Sequence, residues 1–256
     1  MKNITIEEIS TAYTLLENKN SKKLYVFLHG WGGSQNSFLP LAKKIQQNHN
    51  ALVFDWPGFG KSEKPNEPWN THIYAKFFYK LLRESAFEEF SEIVLYGHSF
   101  GCRVMVRHLA EQNFDTRISK IFLTGAAGIN LPLPFHKKII KKIAATTKPF
   151  KKLIPIKIQS IIRRKILRAH DWDAVSGIMK QTFSNVISEA DFRVELSKIK
   201  VSTTLIWGAK DTYTSIATGE IFAEKIPNIK KFHIFPDGKH GIHNTHLEQI
   251  FQIIKP

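Results

Sequence analysis

Cysteine is almost absent: Cys102 is the only one in 256 residues. A single thiol excludes an internal disulfide and leaves no cysteine-based zinc site. A reducing, cytoplasmic location is the expectation that follows. Long apolar runs are missing as well. No segment approaches the ~18 uninterrupted apolar residues of a membrane span. The opening MKNITIEEIS has no apolar run of signal-peptide type. A third absence is local. Between Leu131 and His170 there is no Asp or Glu, against twelve Lys or Arg. That window supplies +12 of the formal net charge of +15, so the rest of the chain is near balance. General affinity for nucleic acid fits so local a charge poorly, and no nucleic-acid-reading motif accompanies it. No nucleic-acid partner is expected.

What is present is alternation. After two short extended runs near the start, a stronger strand is predicted over 24–28, then a buried strand at ALVFDWPG with a Pro-Gly stop. A helix follows from Thr71, with apolar spacing at Ile73, Phe77, Leu81 and Leu82. SEIVLYG, ISKIFLTG, VSTTLIWG and KFHIFP read as strands. FGCRVMVRHLAEQ, SIATGEIFAEKI and NTHLEQIFQII read as helices. Strands alternating with helices of this length imply parallel pairing through crossover helices, so the fold class is α/β. The stretch 129–195 breaks the pattern with Pro-punctuated helical pieces and no convincing strand. It reads as a helical, strongly basic insertion, leaving 1–128 and 196–256 as the core.

The chemistry concentrates at strand ends. Gly97, Ser99 and Gly101 form G-H-S-F-G between a strand and a helix, the context of a nucleophile elbow: glycines permit the sharp turn and the hydroxyl stands above the sheet edge. A serine nucleophile needs a base and an orienting acid, in chain order acid then His. Asp211, just past VSTTLIWG, and His240, in the Gly-containing loop after the last strand, fill those roles. His243 competes with His240, and Asp237 with Asp211. The Gly-rich turn FLHGWGGS offers the Trp31 backbone N–H as one oxyanion donor, paired with the N–H of Phe100. His29 reads as a loop-internal hydrogen bonder, His98 as a pocket wall or spacer, and Cys102 as packed beneath the site. The scheme needs no metal and no organic cofactor.

H-G-W-G-G at 29–33, DWPGFGKS at 55–62, G-H-S-F-G, LIWGAKD and GKHGIH stand in the order and spacing of the α/β-hydrolase superfamily, which this chain resembles from about Tyr25 onward. The resemblance implies an α/β-hydrolase fold with an eight-stranded, mostly parallel sheet. It implies Ser99, Asp211 and His240 as triad, DWPGFGKS as a structural loop near the pocket, and the insertion as the family's cap. Serine at 99 argues against dehalogenase and epoxide-hydrolase chemistry, for which that superfamily uses Asp. Cofactor-free C–C bond hydrolases share the serine but commonly carry a proline in the oxyanion loop, which is lacking here. H-G-W-G with G-H-S-x-G resembles carboxylesterases of the pimeloyl-carrier-protein methyl ester type, alongside small esterases and lactonases. The expected function is hydrolysis of a carboxylic ester, with thioesters and lactones as neighbouring classes. Alternatives are a C–C bond hydrolase, or a catalytically silent relative that binds a small ligand or docks an acidic partner through its basic cap.

Within the cap, Ile139, Ile140 and Ile143 can share a helix face while Lys137, Lys138, Lys141 and Lys142 occupy much of the rest. Three readings fit: a solvated surface whose isoleucines close over the pocket, a dock for an acidic carrier protein, or contact with anionic lipid. Leu133, Phe135, Trp172 and Met179 are the expected lining of an apolar acyl pocket.

Overall fold

The computed structural model describes residues 1–111, 114–131, 176–189 and 191–255. Its strands are β1 Lys2–Ile6, β2 Ile9–Leu16, β3 Lys23–Leu28, β4 Asn50–Phe54, β5 Glu92–His98, β6 Ile118–Thr124, β7 Ser202–Gly208 and β8 Ile229–Phe235. They form one eight-stranded sheet in the order β1-β2-β4-β3-β5-β6-β7-β8. β1 pairs antiparallel with β2, and β2 with β4. Every other pairing is parallel. The expected α/β-hydrolase fold, with its mostly parallel sheet, is therefore present.

Among the described residues the α-helices are α1 Leu39–Ile45, α2 Thr71–Leu82, α3 Phe100–Ala110, α4 Gly177–Ser188, α5 Arg193–Leu196, α6 Ile216–Lys225, α7 Ile242–Thr245 and α8 Leu247–Ile254. They cover both sheet faces, and β3 shows how the sequence divides between them. Leu24, Val26 and Leu28 join a cluster with Phe77, Phe78 and Leu81 of α2 and Val104 and Leu109 of α3. Tyr25 and Phe27 join a second cluster with Leu41 and Ile45 of α1 and Ile250 and Ile254 of α8. A strand buried on both faces reads as a continuous apolar run, which is why these segments stand out in the sequence.

Two elements differ from the expectation. α1 was not anticipated, being short and carrying Pro40 in its first turn, where a missing N–H costs nothing. The single closing helix expected over 244–254 is two helices, broken at His246 with φ −123° and ψ 39°.

Within 129–195 the described residues contain α4 and the start of α5 and no strand. Trp69 donates its N–H to Thr182 Oγ1 at 3.0 Å, and Asn185 Nδ2 donates to the Trp69 carbonyl at 3.3 Å, so α4 is pinned to the loop before α2. The Phe192 N–H donates to the Gly128 carbonyl at 3.0 Å, so the chain returns beside its point of departure. Phe192 packs under the guanidinium groups of Arg103 and Arg107, 4.8 and 4.3 Å from its ring centre. Residues 132–175, and with them all twelve cations of the acid-free window, lie outside the described residues, as do Leu133, Phe135 and Trp172. Among the described residues no helix is long and apolar enough to cross a membrane.

Candidate active site

Ser99 occupies the turn between β5 and α3 with φ 52° and ψ −109°, a backbone region costly for any residue with a Cβ. Its neighbours explain how the turn closes. A Cβ on Gly101 would stand 2.2 Å from the Leu28 carbonyl oxygen, and one on Gly97 would stand 2.9 Å from Met105 Cε. Only glycine lets α3 start so close to the end of β3. Two main-chain bonds tie the turn to the strand beside it: Ser99 N–H to the Thr124 carbonyl at 3.1 Å, and Ala127 N–H to the Ser99 carbonyl at 3.3 Å. Cys102 lies fully buried one turn below, its Sγ 3.6 Å from the Thr124 carbonyl, and burial pushes its thiol pKa up.

The acid and the histidine come from two adjacent loops. Gly208 ends β7 against Gly238 after β8, so tightly that a Cβ on Gly208 would lie 2.4 Å from the Gly238 carbonyl. That contact sets Asp211 beside His240, with Asp211 Oδ2 2.7 Å from His240 Nδ1. Asp211 Oδ1 accepts the N–H groups of Tyr213 and Thr214 at 2.8 and 2.9 Å. The Thr214 hydroxyl lies 2.9 Å from Asp211 Oδ2 and 3.0 Å from the Gly125 carbonyl, and its one proton serves one acceptor at a time. The Asp211 side chain is 1% exposed and that of His240 18%.

The competing residues are placed elsewhere. Asp237 is 73% exposed and pairs with His246 at 3.2 Å. His243 is buried between the rings of Phe38 and His98, at 4.8 and 4.3 Å, with its Nδ1 unpartnered. Burial pushes its pKa down to about 4. The Ser99 hydroxyl makes no hydrogen bond to a described residue, so the acid–histidine contact is closed here and the serine–histidine contact is open.

The turn after β3 faces the elbow. Gly33 N–H donates to the Gly30 carbonyl at 3.0 Å, and Gly32 takes φ 71°. A Cβ on Gly30 would lie 3.4 Å from Ser99 Cβ, so this turn and the elbow touch. Among the described residues no acceptor pairs with the N–H of Trp31 or of Phe100. His29 is held inside its loop: Nδ1 donates to the Gly30 carbonyl at 2.8 Å, and Nε2 accepts the Trp56 N–H at 3.0 Å. That pairing requires the neutral ring, and burial accordingly drives its pKa down to about 4. DWPGFGKS closes around Asp55, whose carboxylate accepts the Lys61 N–H at 2.9 Å while its carbonyl accepts the Ser62 hydroxyl at 2.6 Å.

Above the turn stands an aromatic wall. The Trp31 ring lies 4.8 Å from Phe59, 4.9 Å from Phe183 and 5.3 Å from Phe100. Met179 is 5% exposed, and its Sδ would be 2.3 Å from a Cβ on Gly58. His98 is 8% exposed, its ring between those of His240 and His243. Several residues here escaped the sequence reading. Gly125, with φ 50°, passes so close that a Cβ would lie 3.2 Å from Asp211 Oδ2 and 3.3 Å from His240 Nδ1. Tyr213 stacks on the His240 ring at 4.8 Å and 13°. The glycine directly after β6 was the only signal for Gly125, and nothing in the sequence marked Tyr213 or Thr214.

A mostly parallel sheet, a strained serine between a strand and a helix, and an acid–histidine pair on the last two strand-end loops define an α/β-hydrolase class of protein. Residues 25–253 match the alpha/beta hydrolase family, and the chain belongs to it. It is similar to the pimeloyl-[acyl-carrier protein] methyl ester esterase of Pseudoalteromonas atlantica, 22% identical, covering 88% of this chain and 90% of that one. It is also 22% identical to the 2-hydroxy-6-oxononadienedioate/2-hydroxy-6-oxononatrienedioate hydrolase of Escherichia coli O139:H28, covering 90% of this chain and 84% of that one. Among solved structures it resembles an esterase from Exiguobacterium antarcticum, with a TM-score of 0.73 at 20% identity over 98% of this chain and 96% of that one.

Proposed function

We propose that the protein is a serine hydrolase of carboxylic esters, in which Ser99 is the nucleophile, His240 the base and Asp211 the orienting acid. The observation that carries this reading is the 2.7 Å Asp211–His240 pair, on loops packed against an elbow that holds Ser99 at φ 52°. Asp211 accepts a hydrogen bond from His240 Nδ1–H, which fixes that tautomer and leaves the Nε2 lone pair to receive the serine proton. Ser99 Oγ attacks the acyl carbonyl, and the unpaired N–H groups of Trp31 and Phe100 receive the oxyanion. The protonated His240 then gives its proton to the leaving alcohol. Water deprotonated by the same ring hydrolyses the acyl-enzyme. The open serine–histidine contact fits this role, because such bonds commonly tighten only with substrate in place. The wall of Trp31, Phe59, Phe183 and Met179 favours an apolar acyl group. Similarity to the methyl ester esterase supports the ester reading.

Similarity to the Escherichia coli hydrolase favours a second reading, cleavage of a C–C bond by the same serine. The absence of proline from the Gly30–Gly33 turn weighs against it. A panel of p-nitrophenyl esters, lactones and a vinylogous C–C substrate separates the two. Wild type is expected to show a burst with p-nitrophenyl butyrate and to be labelled at Ser99 by a fluorophosphonate. Ser99→Ala is expected to lose labelling and about 10⁶-fold in kcat, the scale seen on removing a serine nucleophile. Full turnover in that variant would refute the assignment, and a wild type that never labels would favour a silent binding protein.

A further inference from the structure

His240 is held at two points: at the ring, where Asp211 Oδ2 and the Thr214 hydroxyl both face Nδ1, and at the main chain. There His98 Nε2 lies 2.9 Å from its carbonyl oxygen. The main-chain bond comes from the residue immediately before Ser99. A carbonyl can only accept, so the His98 proton sits on Nε2. The His98 ring has little room to turn: it lies 4.6 Å from the His240 ring and 4.3 Å from that of His243, and a Cβ on Gly30 would be 2.9 Å from its Nδ1. Burial, reinforced by His243 and His240, holds its pKa well below the ordinary imidazole value, so it is a neutral ring with one N–H to give.

We infer that His98 is a positioning residue for the hydrolytic reaction: its Nε2–H···O=C bond to His240 fixes the distance between the histidine loop and Ser99. The inference rests on the serine-hydrolase reading. Asp211 and the stacked Tyr213 ring set the rotation of the His240 ring, and the Lys210 N–H holds the loop at the Gly238 carbonyl. None of these reaches the His240 main chain, which lies between Gly238 and Gly241. A tie from the carbonyl to the elbow does. His98 and Ser99 are consecutive on one strained, main-chain-locked turn, so what is fixed to His98 is fixed to Ser99. His98 itself touches no reacting atom.

The test compares His98→Gln, whose amide can donate at similar reach, with His98→Met, which fills the space but cannot donate. His98→Met is expected to lower kcat about 10- to 100-fold with KM within about two-fold, since a misplacement near 1 Å costs rate on that scale. Fluorophosphonate labelling of Ser99 slows in parallel, and His98→Gln recovers most of both rates at comparable melting temperature. Wild-type kcat in His98→Met, or equal losses in the two variants, overturns the inference. Should His98→Met fail to fold, imidazole ¹⁵N spectra of the wild type decide: an Nε2–H tautomer at His98 is required, and an Nδ1–H tautomer overturns it. A wild type that does not label at Ser99 would refute the hydrolase reading instead.

Discussion

Asp211 is the most heavily bonded group of the site, with two main-chain N–H groups on Oδ1 and the His240 ring and Thr214 hydroxyl at Oδ2. Each of these is a donor, so the position requires an acceptor on both oxygens. Asp211→Asn keeps the shape but must turn an NH₂ toward either the main-chain donors or the imidazole N–H. The second arrangement drives His240 into the wrong tautomer. The expected outcome is a loss of about 10⁴-fold in kcat with little change in KM, measured by steady-state kinetics on an active ester. Retention of a tenth of the wild-type rate would contradict the role. Chain order and strand-end position made Asp211 and His240 readable from sequence. Thr214, Gly125 and Tyr213 were not readable, because their roles depend on which loops meet above the sheet.

At the level of elements, the elbow helix exchanges propensity for proximity. Alanine at 101 would gain about 1 kcal/mol of helix propensity over glycine. Its Cβ would also lie 2.2 Å from the Leu28 carbonyl, and rigid main chain cannot yield as a flexible side chain can. Overpacking of this kind costs about 1–3 kcal/mol, so the clash outweighs the gain. Gly101→Ala is therefore expected to lower the urea midpoint. An unchanged or higher midpoint would show that α3 can retreat from β3. The return of the insertion follows the same local logic. Thr182, Asn185 and Glu189 project from α4 and the residue after it onto Trp69 and Thr71, so one short helix is held by four hydrogen bonds. Their spacing along α4 gave no hint of this, since their partners lie more than a hundred residues away.

Across the whole molecule, stability and acidity are coupled through buried imidazoles. Burial pushes His29, His108 and His243 down to about 4 and holds His98 well below the ordinary imidazole value. An unfolded chain binds protons at these side chains near the ordinary value of about 6.5, while the folded one does not. Stability is thus complete above about pH 6.5 and falls as pH drops toward 4, the unfolded state being the one that gains protons. Each of His29, His108 and His243 withdraws on the order of 3 kcal/mol across that window, so together they rival the ~5–15 kcal/mol of a typical domain. Asp115, held low by Arg117 against the opposing effect of burial, loses its stabilising charge only below its ordinary range and does not contribute there. Urea midpoints measured from pH 7.5 to pH 5 are expected to fall steadily. A midpoint constant to pH 5 would mean that these rings are hydrated or paired in solution.

The sequence by itself determined the elements and the elbow. Apolar runs buried on both faces, glycines at forced turns and a serine between strand and helix are local facts, readable from the chain. Chain order also nominated the acid and the histidine. Tertiary structure alone showed the pairing itself: Asp211 meets the His240 ring, while Asp237 meets His246 and His243 is buried between Phe38 and His98. The competing residues are close in sequence or similar in chemistry, and only the contact of Gly208 with Gly238 brings one acid to one ring. It also turned His98 from a spacer beside the serine into a hydrogen-bond donor to a loop 142 residues away. Such a bond has no signature along the chain, because its acceptor is a main-chain carbonyl that every residue possesses.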